Sequence, residues 1–241
     1  MGGITTPYNN PLSPERWEGI VKFLELPREP RAVEIGCGEG ELLRLMLQVH
    51  SGNVLGIDND GDALELARDK LEAFGKRARL VGNEIDLVPL PDNSFDIALS
   101  VGSAHAYGDL PDAYDRTLSE CARMVTPGGL VVIGHTCWNR VAPAAYLSAT
   151  GINAHEYGTH RHNVSRGEAA GLLPIYATTA SKAEWDHFES GSWAAAELNA
   201  RELPNDEAVQ KAVEARRAWR RAYLDHGRQV LGFGVYVFLV P

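Results

Sequence analysis

The feature that most constrains this chain is an apolar run that ends in three alternating glycines, "VEIGCGEGELL" over residues 33–43. A short apolar run, a glycine turn and then a helix-patterned segment is the opening of a βα unit. Gly36, Gly38 and Gly40 let the backbone approach a ligand closely. At the start of the following helix, free backbone N–H groups and the helix dipole attract anionic groups of a ligand. A dinucleotide loop would show G-x-G-x-x-G, whereas these glycines alternate with single residues and stand beside Glu39 and Glu41. Two carboxylates next to a pyrophosphate are unfavourable, so a ligand with no phosphate and a positive centre fits better.

The same alternation continues down the chain. "RAVEI", "NVLGID", "RARLVG", "FDIALSV" and "LVVIGHTCW" read as strands. Helical segments separate most of them, "GELLRLMLQVH", "GDALELARDKLEAFG" and "LPDAYDRTLSECARMV". Strands spaced by helices of this length predict βαβ units, hence a parallel sheet with helices on both faces. Ahead of them, "SPERWEGIVKFLEL" predicts a helix with Ser13 as N-cap and Pro14 at its first position. Residues 1–12 read as loose. After Trp138 the alternation stops, and residues 139–174 read as a lid-like insertion with short helical patches. "IYATTASKAEWDHF" is a candidate sixth strand, "NDEAVQKAVEARRAWRRAYLDHG" a helix, and "GFGVYVFLV" a last strand that would pair with the sixth as a hairpin. The expected organisation is a helical cap over 1–30, an α/β core over 31–138, a substrate lid over 139–174, and strands and a helix over 175–241 that complete the same domain.

Bulk properties narrow the partners. With 23 basic and 32 acidic residues the net charge is −9, which argues against a nucleic-acid partner. No apolar run approaches the roughly 20 residues of a membrane span. The first residues have neither a basic region nor an apolar stretch, so they do not read as a signal peptide. Gly2 with Thr6 fits a loose myristoylation pattern. Three widely spaced cysteines, Cys37, Cys121 and Cys137, form no CxxC pair, which suits a reducing cytosol and implies no metal framework.

The second strand ends in "GIDND". An acidic residue there, Asp58, can accept both hydroxyls of a ribose, and eighteen positions separate it from Gly40, a normal distance for one helix and one strand. With "VEIGCGEG", "GIDND", "VGNEIDLVPLPDNSFDIALS" and "ECARMVTPGGLVVIGH" in this order, residues 31–137 resemble the class I S-adenosylmethionine-dependent methyltransferases, in particular the small-molecule, quinone-biosynthesis-like branch. The resemblance implies a doubly wound, mostly parallel, Rossmann-like sheet of about seven strands with an antiparallel C-terminal strand. It implies S-adenosylmethionine as cofactor and S-adenosylhomocysteine as product. Glu34, Gly36, Cys37, Gly38 and Gly40 would line the methionine part, Asp58 the ribose, and Asn59, Glu84 and Ile85 the adenine. Ser100 and Val101 would offer backbone contacts to the methionine portion. Glu84 stands where the family usually has Asp, a departure of one methylene.

Methyl transfer needs alignment and dryness above all, and a base only when the acceptor arrives protonated. Candidates follow the fourth and fifth strands. His105 and Tyr107 in "GSAHAYGD" are expected to face the transferred methyl, and His135 and Trp138 lie in "HTCW". Either histidine could deprotonate a phenol or hydroxyl. Tyr107 and Trp138 would shape a pocket wall. His155, His160, Arg161, His162 and Arg166 make the insertion locally basic, which suits a lid over an anionic group such as a carboxylate, or a solvated loop; no metal is expected. The reading is a methyltransferase acting on a small acceptor, anionic or phenolic, with oxygen the first choice and nitrogen or carbon the alternatives. A catalytically silent binding protein of the same fold is the other reading. Neither a nucleic acid nor a membrane is an expected partner, and a monomer or a homodimer would both fit.

Overall fold

The computed structural model describes residues 7–241, so the Gly2–Thr6 pattern lies outside the described residues. Helix α1 (Pro14–Phe23) leads into strand β1 (Arg31–Ile35), then α2 (Glu41–Val49), β2 (Asn53–Asp58), α3 (Gly61–Leu71), β3 (Ala78–Gly82) and β4 (Phe95–Val101). Next come α4 (Asp112–Met124), β5 (Val125–Trp138), α5 (Ala144–Thr150), α6 (His160–Ala169) and β6 (Leu173–Thr179). The chain closes with α7 (Lys182–Glu202), α8 (Glu207–Ala222) and β7 (Leu231–Leu239).

The seven strands form one sheet in the order β3-β2-β1-β4-β5-β7-β6. β1 to β5 pair in parallel, and β7 runs antiparallel to both β5 and β6. The doubly wound sheet with one antiparallel C-terminal strand, β7, is therefore the fold. Buried strands such as β7, nearly all core, sit between two helical layers, which explains their continuous apolar runs. Among the described residues, no helix is long and apolar enough to cross a membrane.

Local signals explain the helix starts. Ser13 caps α1 with Pro14 behind it, Asp60 caps α3 through the N–H groups of Asp62 and Ala63, and Asp206 caps α8. Two expectations change. The candidate sixth strand is strand only to Thr179; the rest of that stretch opens α7, at 21 residues the longest helix. Its pairing with β7 is antiparallel, but α7 and α8 intervene in place of a hairpin turn. The "PGG" turn lies within the β5 ladder, where Gly128 takes φ +82° and the register slips beside Phe95.

The basic helix of the insertion, α6, packs on the sheet. Asn163 donates from its amide to the Tyr236 hydroxyl (3.2 Å), and the Arg166 guanidinium lies over the Tyr114 ring while pairing with Asp115. A Cβ on Gly167 would sit 2.2 Å from the Phe238 ring, so this helix is seated against β7.

Candidate active site

In an open doubly wound sheet the crevice opens where the strand order reverses, at the carboxyl ends of the strands. Here that point lies between β1 and β4. A cavity of about 1010 Å³ occupies it, walled by residues 34–39, 57–60, 83–85 and 101–103. Two further walls come from distant parts of the chain: Pro7, Tyr8, Asn9 and Asn10 ahead of α1, and Phe188 from α7.

The glycine loop makes a thin wall. Gly36, Gly38 and Gly40 all take positive φ, +70°, +49° and +73°. A Cβ on Gly36 would meet the Ser103 Cβ at 2.3 Å, so the loop and the turn after β4 touch backbone to side chain. A Cβ on Gly38 would meet nothing within 4 Å and would project into the open space of the cavity. Gly40 serves packing: its Cβ would crowd Ala67 of α3 at 3.1 Å, and it does not line the cavity. Four N–H groups of the loop ahead of α2 already have partners within the protein. Gly36 and Cys37 both donate to the Ile57 carbonyl, Gly38 donates to the Asp58 carboxylate at 2.7 Å, and Gly40 donates to the Cys37 carbonyl. These four donors are not available to an anion.

The charge of the cavity is negative. Glu39, Glu41, Asp58, Asp60 and Glu84 line it beside the buried Glu34 carboxyl, and among the described residues Lys70 is the one lysine or arginine that does. Lys70 is itself paired with Glu39 (2.7 Å) and Glu41 (3.8 Å), and Arg44 also pairs with Glu41. Glu34 is 3% exposed, and its Oε2 has no hydrogen-bond partner. Burial, helped by the Asp58 charge, holds the Glu34 carboxyl well above the usual carboxylate range. Asp58 accepts from the Gly38 and Asp60 N–H groups, one per oxygen. Asn59 donates to Glu84 at 3.0 Å, which ties the ends of β2 and β3 together. An unpartnered buried carboxylate, a strand-end aspartate and a side-chain-free loop suit a ligand with hydroxyls and a positive group.

The cavity brings together Glu34, Gly36, Cys37, Gly38, Asp58, Asn59, Glu84, Ile85, Val101 and His105. Burial pushes the Cys37 thiol far above its ordinary value, so it stays protonated there. Ser100 does not line the cavity; its hydroxyl bonds that of Ser103 at 2.9 Å, and Ser103 lines the cavity instead while donating to the Ile35 carbonyl. Tyr107 is turned into the core under α4, with the Arg116 guanidinium over its ring, and does not face the cavity. His135 is also outside. It is buried between Tyr114 and Tyr157 with Nε2 unpartnered, and burial lowers its imidazole to about 4, so it is neutral at pH 7. Trp138 is buried and donates to the Ala154 carbonyl.

Residues 139–174 do not line the main cavity, so the basic cluster does not lid it. Asn153, His155 and Glu156 line a smaller recess of about 310 Å³ with Asp109, and His105 lines both spaces. Among the described residues no group of histidine, cysteine and carboxylate side chains is arranged to hold a metal. Sequence reasoning missed the walls from Pro7–Asn10, Ser103 and Phe188. The signal for the first was present in Asn10, whose side chain accepts from the Leu12 and Trp17 N–H groups and turns the supposedly loose segment into a buried one.

Residues 33–133 match the family described as methyltransferase domain. The chain is 23% identical over 236 residues to the uncharacterized protein YjhP of Escherichia coli K12, covering 96% of this chain and 93% of that one. It is 30% identical over 121 residues to demethylmenaquinone methyltransferase of Bacillus licheniformis, covering 49% of this chain and 50% of that one, so it spans about half of that relative's length. The structure of a SAM-dependent methyltransferase from Thiobacillus denitrificans, in complex with S-adenosyl-L-homocysteine, shares the fold with a TM-score of 0.85. That match covers 97% of this chain and 94% of the other at 22% identity. The fold is that of the class I methyltransferases. Residues 33–133 thus match a methyltransferase domain model, and the fold is shared with structures of SAM-dependent methyltransferases.

Proposed function

We propose that this chain transfers a methyl group to a hydroxyl of a small acceptor that carries no negative charge. The observation that carries this reading is the cavity at the strand-order reversal, rich in carboxylates and bordered by a single histidine, His105, that also faces a second recess. Bound S-adenosylmethionine supplies an electrophilic methyl carbon on a positively charged sulfur. The Glu34 carboxylate would face the ammonium of its methionine part, and Asp58 would accept from its ribose hydroxyls. Asn59, Glu84 and Ile85 would flank the adenine, and Gly38 and Val101 would wall the methionine chain. Tyr8, Asn10 and Phe188 would close the acceptor side and exclude water.

His105 would take the proton of the acceptor hydroxyl. It lines the cavity, whereas His135 is enclosed by aromatic rings away from it. The anionic acceptor suggested by Arg161 and Arg166 loses its reason, because neither lines the cavity and Arg166 is spent on Asp115 and the Pro111 carbonyl. Asp109 and Glu156 in the adjoining recess add further negative charge.

Two outcomes test this. Methyl uptake from labelled S-adenosylmethionine is compared for tyramine and 4-hydroxyphenylacetate, phenols that differ in the charge of the side chain; tyramine is expected to be the better acceptor, and a preference for the acid would refute the charge argument. His105→Ala is expected to lower kcat by about a hundredfold or more. Its affinity for S-adenosylhomocysteine should change by less than about threefold. An unchanged kcat in that variant would remove His105 from the chemistry. Mass spectrometry of the product separates oxygen from nitrogen or carbon methylation.

A further inference from the structure

The walls that cover the cavity come from opposite ends of the chain, and one carboxylate joins them. Pro7–Asn10 precede α1, and Phe188 is the seventh residue of α7. Glu184, at the third position of α7, forms a capping box with Ser181, whose N–H donates to Glu184 Oε2 at 2.7 Å. The other oxygen, Oε1, accepts the N–H of Ser13 at 2.9 Å, and Ser13 is the N-cap of α1. The same carboxylate thus takes the N-cap N–H groups of two helices that lie 168 residues apart in sequence (181 − 13). Arg16 completes the node. Its Nη1 donates to Glu184 Oε2 at 2.9 Å and to the Thr179 carbonyl at 2.9 Å, and its Nη2 donates to the Thr178 hydroxyl. The Glu184 side chain is 13% exposed, so these charge-assisted bonds are partly shielded from water.

From Ser13 the connection to the cavity is short. Asn10 accepts from the Leu12 N–H (3.1 Å) and from the indole N–H of the fully buried Trp17 (3.0 Å), so residues 8–12 move with α1. On the other side Phe188 follows Glu184 by four positions and sits on the same helical face. We infer that Glu184 and Arg16 are positioning residues for the methyl-transfer site: their node holds the Tyr8–Asn10 wall against the Phe188 wall, so the cavity stays closed around its contents. Ordering residues 8–12 in advance removes an entropic cost that ligand binding would otherwise meet. This inference rests on the reading of the cavity as the cofactor and acceptor site.

The test separates the node from ordinary helix capping. Ser181→Ala breaks the α7 cap, since Ser181 Oγ accepts the Glu184 N–H at 3.2 Å, but leaves the bonds to α1 in place. Glu184→Ala breaks both. The expected result is that Glu184→Ala loses more thermal stability than Ser181→Ala, and that, measured on folded protein, only Glu184→Ala weakens S-adenosylhomocysteine binding, by about tenfold. Arg16→Ala shares that effect, and the Arg16→Ala/Glu184→Ala pair is no weaker than Glu184→Ala, because the side chains act as one unit. Hydrogen exchange of the ligand-free protein supplies a second reading. Amides of residues 8–12 should exchange faster in Glu184→Ala and not in Ser181→Ala. Unchanged exchange in Glu184→Ala overturns the node. Wild-type protein that binds no S-adenosylhomocysteine, but shows the exchange difference, overturns the reading of the cavity and leaves the node standing.

Discussion

Asp58→Ala is expected to weaken S-adenosylhomocysteine binding by about a hundredfold or more, with the protein still folded. Two separate losses produce this. On the proposed reading the carboxylate is the strand-end acceptor that would face the ribose, and a hydrogen bond to a charged group contributes about 1.5–3 kcal/mol. Two such bonds correspond to roughly two to four factors of ten in affinity. The second loss is internal. Asp58 Oδ2 holds the Gly38 N–H at 2.7 Å, and Oδ1 holds the Asp60 N–H at 2.9 Å. Without them the glycine loop keeps its positive φ angles but loses the contact that sets its distance from β2. Melting temperature should fall by several degrees, since about 1–2 kcal/mol corresponds to about 2–4 °C each in a domain of this size. Asp58→Asn, which keeps one oxygen acceptor, should lie between. Calorimetric titration and a melting curve on each variant decide it. Affinity within about threefold of wild type would mean that Asp58 is a loop tether and nothing more.

Glu34→Gln should move stability and affinity in opposite directions. Glu34 lies in the core of β1 with Oε2 unpartnered, and burial beside Asp58 raises its carboxyl well above 4.5. The native protein therefore holds a proton there that the unfolded chain has already released. By linkage, the stability that this proton confers is complete below the unfolded value, about 4.5, and is lost as pH rises toward the raised native value. Glutamine cannot ionise, so the variant loses this decline, and the ligand-free variant should melt higher than wild type above that window. The carboxylate form becomes useful when a positive ligand group arrives. S-Adenosylmethionine should bind Glu34→Gln more weakly, by about ten- to a hundredfold, the cost of losing one charge-assisted bond in a dry site. In wild type, binding should release a proton in the pH range where Glu34 is protonated. Titration in two buffers of different ionisation heat reads that proton directly, and the variant should release none from this site. A variant that binds as tightly as wild type, with the same pH dependence of melting, would show that Glu34 is a structural group.

Most of the secondary structure was legible because it is local. The apolar runs of β1, β2, β4 and β7 have the length and composition of buried strands, and Ser13, Asp60 and Asp206 cap helices through bonds to residues two or three positions away. The glycine loop and Asp58 were legible for the same reason: a strand end, a tight turn and a helix start are defined within a few residues. Helix α7 was obscure. Trp185, Phe188, Glu189 and Trp193 share one face, but the face carries a buried carboxylate, held there by the indole N–H groups of Trp193 and Trp219. A charged residue at a core position hides the period until its partners are known.

The two histidines mark the boundary between what the chain's local pattern can specify and what assembly adds. His105 follows β4 and His135 lies near the end of β5, two strands that point at the crevice, and nothing near either one in sequence separates them. They part because β5 runs on through His135 into its ladder with β7, where Tyr114 and Tyr157 close over the ring, whereas His105 follows the end of β4 in a short turn that opens on the cavity. The same holds for the cavity's cover. Hydrogen bonding within a helix or turn depends on neighbours and can be read in order, which is why the strand–loop–helix core and its glycine loop were apparent from residues 33–43 onward. Closing the cavity with Tyr8 and Phe188 depends on α1 and α7 meeting through Glu184, a contact across the chain that no local periodicity encodes.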